Sequence, residues 1–511
     1  MYKKIGLNII LILLLSVAAK GQSKYWIYFS DKGPSNQVQK LLSPEAYTNR
    51  AMLGLSVYQQ SDEPVYSGYV DSLTHYGARI VNHSKWLNAV SAFIDRKKLG
   101  QISSLGFVEE VSPISTQIQV LSIQNGKSQD TSYAATLKQV NAKSFHQAGL
   151  NGAGVSIGII DGGFLEANEE EDLVAIFSEK RLMGAKDFIE PPLDGPFDGS
   201  KSLGDNHGTE VWRMIAGKKG HKYYGLASEA NFYLARTDQG DREYRGEEDN
   251  WIAALEWMDS LGVRIINSSL GYSVGYDDPD ENYDQSSVDG STSAITRAAQ
   301  IAATEKGILI ILSAGNDGAN SFQFVSLPAD AKDVLSIGAV GLNHGIKMGY
   351  SSIGPERLNY IKPDVSCFAR NGTSFAAPVI TGLAACMMQK NPLLSNNQII
   401  DVIEKSAHLY PYGNNYIGYG VPDCSKILAN MNQATLPNNS ARLIHVQQKS
   451  YKIERYKNIR SLVVFHKKDE KNVIVQKFSR PEAKFVTIEK IEGSVRTTVV
   501  IDKQVLEIIW E

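Results

Sequence analysis

Cysteine is scarce in this chain. Only Cys367, Cys386 and Cys424 occur in 511 residues, which provides neither a disulfide framework nor a cysteine metal cluster and allows at most one bridge. An excess of one charge sign is also missing. Lys and Arg number 52 against 55 Asp and Glu, a net charge of -3, so the basic footprint of a nucleic-acid binder is absent. No stretch after Val17 is apolar enough to span a bilayer, and no internal repeat of the solenoid kind is visible. What remains is a chain long enough for about two or three domains around a large core.

Residues 1–21 have a basic start (Lys3, Lys4), an apolar core from Ile5 to Val17, and small residues at Ala18, Ala19 and Gly21. This is the pattern of a secretory signal peptide, and the run is short for a transmembrane span. It predicts a protein that is secreted or otherwise extracytoplasmic, in a periplasm or at a cell surface, with no transmembrane segment in the mature chain. Residues 22–132 read as a propeptide-like α+β module and its linker. Strands at Tyr25–Phe29, Ala78–Val81, Ala89–Ile94 and Val108–Val111 alternate with helices at Gly68–Tyr76 and Lys97–Leu105. That order is the split βαβ, or ferredoxin-like, arrangement. The polar stretch from Gln117 to Ser132 reads as an exposed, cleavable linker.

Residues 133–432 change pattern. Near-continuous apolar runs at Val155–Ile160, Ala230–Ala235, Val263–Asn267, Ile308–Leu312 and Val334–Val340 alternate with helical stretches, notably Glu247–Leu261 and Thr292–Lys306. Buried strands alternating with helices predict an α/β fold: a doubly wound, mostly parallel sheet with helices on both faces. In such sheets chemistry collects beyond the carboxyl ends of the strands. After a linker at Leu436–Ser440, residues 441–511 read as short strands forming a small all-β C-terminal domain.

Four polar residues stand at strand exits or helix entrances of the α/β segment. Asp161 ends a buried strand in Asp161-Gly162-Gly163. His207 opens a helix in His207-Gly208-Thr209, with Val211, Met214 and Ile215 on one face. Asn316 follows the strand Ile308–Leu312 in Ser313-Ala314-Gly315-Asn316. Ser374 lies in Gly372-Thr373-Ser374-Phe375-Ala376-Ala377-Pro378, a tight loop entering a buried helix. Singly, each has an ordinary explanation: a turn-capping carboxylate, a surface histidine, a turn asparagine, a helix-capping serine. Together they have the chain order Asp, His, Ser of the subtilisin type of triad.

These motifs resemble those of the subtilase family of serine peptidases, over somewhat more than half of the chain. The resemblance implies that Ser374 is the nucleophile, His207 its general base, Asp161 the group that orients His207, and Asn316 an oxyanion donor. It also implies that Ser269-Leu270-Gly271 pairs with the substrate backbone and that Ser313-Ala314-Gly315 forms the facing wall of the pocket; glycines at both walls suggest an open slot. The N-terminal module is similar in position and strand order to the family's inhibitory propeptide. Two departures stand out. Gly162 occupies the place where Ser or Thr is usual, and the stretch Ser366–Arg370 before the Ser motif is short.

The expectation is a serine endopeptidase made as a zymogen, acting on protein or peptide substrates and partnered by its own propeptide, with no nucleic acid. No cofactor is required for this chemistry. The acidic run Asp277–Asp284 is either a solvated loop, a preference for basic substrates, or a structural Ca²⁺ site using Asp277, Asp278 and Asp280. The alternative function is a catalytically silent subtilase-fold binding or scaffold protein.

Overall fold

A computed structural model describes residues 22–34, 42–115, 131–189, 205–239, 245–276, 279–342, 345–432, 441–454, 461–480, 485–501 and 504–511. The signal-peptide segment, nearly all of the first linker, and the linker before the C-terminal strands lie outside them. The N-terminal module is a four-stranded antiparallel sheet formed by β1 (Gln22–Phe29), β2 (Arg79–Ser84), β3 (Ala89–Asp95) and β4 (Val108–Ser115), in the order β2-β3-β1-β4. Alternation along β1 gives the sheet two apolar faces. Tyr25, Ile27 and Phe29 pack with the module's own helices, whereas Trp26 and Tyr28 face the neighbouring α/β domain.

The helices of the module are α1 (Pro44–Met52), α2 (Ser67–His75) and the short α3 (Leu99–Ser103). No apolar stripe marks α1 in the sequence, because its buried residues are Ala46 and Arg50. Its start is conventional: Ser43 accepts a hydrogen bond from Ala46 N–H at 3.1 Å, and proline occupies the first turn.

After helix α4 (Thr131–Gln139) come β5 (Ser156–Asp161), β6 (Leu182–Asp187), α5 (His207–Ala216), β7 (Asn231–Arg236), α6 (Glu248–Ser260), β8 (Ile265–Ser268), α7 (Ala294–Thr304), β9 (Leu309–Ser313), β10 (Leu335–Val340), β11 (Val365–Phe368) and α8 (Ala377–Lys390). The seven strands form one parallel sheet in the order β11-β10-β9-β8-β5-β7-β6. Ile157, Ile159, Ile265 and Ile311 face α5 and α8; Ile160, Ile266, Ile310 and Leu312 face α6 and α7. The winding direction reverses between β5 and β8, and both strands end at the candidate site. Strands β6 and β11 were not among the apolar runs. The first is an edge strand with Met183 exposed, and the second is only four residues long.

The C-terminal strands are β12 (Arg442–Val446), β13 (Ser450–Glu454), β14 (Leu462–Lys467), β15 (Val473–Ser479), β16 (Phe485–Glu489), β17 (Arg496–Ile501) and β18 (Gln504–Trp510). Five of them make a sheet in the order β12-β18-β17-β14-β15, and β13 pairs with β16. One face of the five-stranded sheet buries Leu462, Val464, Val499 and Ile508. The other sets Val463, Phe465, Val500 and Val505 against Val340, Leu409 and Ile417 of the α/β domain. All three cysteines are unpaired and buried.

Candidate active site

Asp161, the last residue of β5, is fully buried, and its Oδ1 is 2.6 Å from His207 Nδ1. The same oxygen accepts the Gly162 N–H at 2.8 Å. Oδ2 is buried without a hydrogen-bond partner, and Gly162, in the usual Ser or Thr position, has no hydroxyl to offer it. The glycine of His-Gly-Thr has a steric cause: a Cβ on Gly208 would lie 2.4 Å from the Gly163 carbonyl oxygen and 3.0 Å from Asp161 Cβ. The close approach of α5 to the end of β5 therefore requires glycine.

The His207 side chain retains 30% of its exposure, enough for a substrate to reach it. Burial penalises the imidazolium. The Asp161 carboxylate, by its charge and its hydrogen bond, outweighs that penalty, and Glu210 and Asp238 add to it, so the His207 pKa lies above the ordinary histidine value.

Arg236, at the end of β7, is 1% exposed and was not picked out from the sequence. Its guanidinium donates to the Gly162 carbonyl at 3.2 Å and lies 3.0 Å from Asp187 and 3.3 Å from Asp205. It thus ties the turn after Asp161 to the segment leading into His207. A lone arginine in a β-strand run gives no sequence signal for this role.

Ser374 sits in a 3₁₀ turn (Thr373–Phe375) ahead of α8, so it is not the cap of that helix; Ala376 occupies the cap position. The hydroxyl of Ser374 donates to the Ser269 carbonyl at 3.0 Å, and the Ser269 hydroxyl donates back to the Ser374 carbonyl at 2.9 Å. The Phe375 ring lies 5.7 Å from the His207 ring, centre to centre. Asn316 Oδ1 accepts the Thr373 N–H at 2.9 Å and its hydroxyl at 3.1 Å. A backbone N–H can only donate, so this contact fixes the amide with its oxygen on Thr373 and its NH₂ group free to serve as a donor. Gly372 is next to that NH₂: a Cβ there would be 3.4 Å from Nδ2.

Ser269, Leu270 and Gly271 follow β8, and Ser313 ends β9 with Ala314 and Gly315 just beyond it, as two adjacent segments. The slot between the two glycines is not simply open. A Cβ on Gly315 would meet Ser326 Oγ at 2.2 Å and one on Gly271 would meet Ser326 Cβ at 2.6 Å, so the glycines make room for Ser326. The sequence did not single out Ser326. Of the acidic run, Asp277 and Asp278 lie outside the described residues, and Asp280 is exposed. Nearby, Asn282 accepts from the Gly275 and Tyr276 N–H groups, Glu281 from Arg245 N–H and Asp284 from Ser286 N–H. Among the described residues no group of three or more His, Cys, Asp or Glu could hold a metal ion.

The N-terminal module is docked on α6 and α7. Trp26, Tyr28, Trp86 and Ile114 pack into the core on that side of the α/β sheet. Glu256 of α6 accepts from Ser84 Oγ at 2.6 Å and from the Lys85 and Trp86 N–H groups, and Lys24 pairs with Asp249 at 2.7 Å. Beyond the sheet, α1 and the turn at Gln60–Asp62 carry charge into a second contact. Arg50 bonds Asp62 at 2.6 Å and Asp259 at 2.8 Å, and Lys306 lies 3.0 Å from Asp62, all four side chains at most 4% exposed. Strand β4 runs beside the turn Arg245–Glu247, which leads into α6.

A family model described as the subtilase family, Peptidase S8, matches residues 152–420, just over half of the chain. The chain belongs to the subtilase family. A second model, the Peptidase S8 propeptide domain of Bacteroidota, matches residues 24–133. Subtilisin NAT of Bacillus subtilis subsp. natto is 26% identical over 368 residues, covering 69% of this chain and 83% of that protein. Subtilisin BL of Lederbergia lenta is 28% identical over 281 residues, covering 53% and 90%. The crystal structure of MycP1 with its N-terminal propeptide removed overlays with a TM-score of 0.43 at 22% identity, covering 57% of this chain and 96% of that one.

The N-terminal module of this subtilase is therefore of the S8 propeptide type. The helices it docks on, α6 and α7, belong to the peptidase domain. Tyr133, at the end of the propeptide match, is 2% exposed and packs in the core of the α/β domain rather than in the module.

Proposed function

We propose that this subtilase is a serine endopeptidase that works outside the cytoplasm and is made as a zymogen, with Ser374, His207, Asp161 and Asn316 as its catalytic group. The observation that carries the reading is the short Asp161–His207 contact opposite a serine loop gripped by Asn316. Asp161 holds the imidazole with Nδ1 protonated, which leaves Nε2 free to take a proton. The Ser374 hydroxyl turns from Ser269 O to Nε2 when substrate binds; catalytic hydrogen bonds commonly tighten only in the substrate complex. Oγ then attacks the scissile carbonyl, and its proton passes to His207 and on to the leaving amine. The oxyanion receives hydrogen bonds from Asn316 NH₂ and the Ser374 N–H. An acyl-enzyme on Ser374 remains, and water hydrolyses it by the same steps.

Ser269–Gly271 and Ser313–Gly315 would receive the substrate backbone as an added strand, with Ser326 at the base between the glycines. The docked propeptide supports the zymogen reading: its last strand leads toward the linker at 117–132, where the chain would cut itself. Ser374→Ala should abolish both casein hydrolysis and labelling by a fluorophosphonate, a loss on the order of 10⁶ in kcat, the magnitude measured for removal of the nucleophile in subtilisin. It should also accumulate as a longer chain, whereas wild type sheds the module. Activity within tenfold of wild type would remove Ser374 from the reaction. Equal chain lengths for an active wild type and the variant would end the zymogen reading alone.

A further inference from the structure

Helix α4, the first element after the linker, contacts at once the two segments that carry His207 and Ser374. Near its start, the Tyr133 hydroxyl donates to Glu210 Oε2. Glu210 is on α5, one turn after His207. Its other oxygen accepts from Arg213 at 2.9 Å, and Arg213 is in turn held by Asp172 at 2.9 Å and lies over the Tyr133 ring at 5.8 Å. At the other end of α4, Gln139 Oε1 accepts the Phe368 N–H at 2.6 Å, and its NH₂ donates to the Gly341 and Leu342 carbonyls at 3.2 and 3.1 Å. The Thr136 hydroxyl donates to the Phe368 carbonyl at 2.9 Å. Phe368 ends β11, six residues before Ser374.

The contacts fall on a buried face. Tyr133, Thr136, Leu137 and Val140 are each at most 7% exposed. Their spacing is that of one helical side. Apolar packing would suffice to hold the helix. The hydrogen bonds go further, because they engage backbone and charge on the two segments whose separation sets the distance from His207 Nε2 to Ser374 Oγ.

We propose that α4 is a strap that fixes this separation, with Tyr133 and Gln139 as positioning residues at its two ends. The inference rests on the peptidase reading above. Catalytic groups must be held to within about half an ångström, and a misplacement of about 1 Å from a remote change can cost on the order of 10²-fold. Neither residue touches the reacting atoms. A strap acts in series, so releasing either end should lose the same constraint.

The test compares Tyr133→Phe, which removes only a hydroxyl, Gln139→Met, which keeps the length of the side chain, and the double variant, each produced as the full chain and assayed after processing. Each single change should lower kcat about tenfold with KM within twofold, and slow inactivation by diisopropyl fluorophosphate in step. That reagent reports the His207–Ser374 geometry without a peptide. The double variant should be no slower than the slower single variant. The strap is overturned if both single variants keep kcat within twofold, whatever their Tm, or if the two losses multiply in the double variant, which would make them independent props. An unreactive wild type would instead fail the peptidase reading, so the two failures are told apart by one control.

Discussion

Removing Arg50 tests how the propeptide is held. In the docked state Arg50 reaches from α1 of the module to Asp259 of α6 at 2.8 Å, and also holds Asp62 of its own module at 2.6 Å. Burial lifts the Asp259 carboxyl above the usual range, and Arg50, followed by Lys85, opposes that rise. Arg50→Met leaves Asp259 with Lys85 at 3.9 Å, while Asp62 keeps Lys306 at 3.0 Å. Taking one partner from a buried ion pair typically costs about 3–5 kcal/mol, because the other charge stays buried and uncompensated. The two remaining lysines put this case near the lower limit, so about 3 kcal/mol, or roughly 10²-fold in affinity, is expected.

The perturbation should appear in the dissociation rate, where interface changes usually act. The assay isolates the processed, still-docked complex and follows the return of peptide hydrolysis on dilution. Asp259→Asn attacks the same contact from the peptidase side and leaves the module's sequence unchanged. Both variants should recover activity roughly 10²-fold faster than wild type. Recovery within threefold of wild type for both, with the module still folded, would refute the reasoning and assign the holding force to the apolar face of Trp26, Tyr28 and Trp86.

Asn316→Ala should lower kcat by roughly 10²–10³ with little change in KM, because an oxyanion donor acts mainly in the transition state; the magnitude is the one measured for the equivalent donor in subtilisin. A change confined to KM would make Asn316 a turn residue that only holds Thr373. His207 must be neutral to accept the Ser374 proton, so activity should fall as pH drops through a pKa that lies above the ordinary histidine value. Glu210→Gln removes one of the charges that raise it, and the acid limb of kcat/KM should move to lower pH. A limb that stays in place, or moves up, would remove Glu210 from the field at His207.

The sequence by itself determined the local chemistry. Apolar runs such as Val155–Ile160 had to be buried strands, and the residues at their exits had to lie along one edge of a parallel sheet. The Ser motif, with its glycine, small residues and proline, admitted little besides a tight turn into a buried helix. Local patterns of this kind are legible because the backbone alone enforces them. Only the tertiary structure decided which distant groups meet. Arg236 reads as an ordinary strand residue until three separate segments place acceptors around it. Ser326 has no signature, since its role comes from glycines 55 and 11 residues away in sequence (Gly271 and Gly315). Helix α1 was invisible because its buried face carries Arg50, whose charge is matched by Asp62 twelve residues on and by Asp259 across the domain interface. Periodicity records what a segment hides from water, whereas partners that meet through the fold leave no mark on their own stretch of chain.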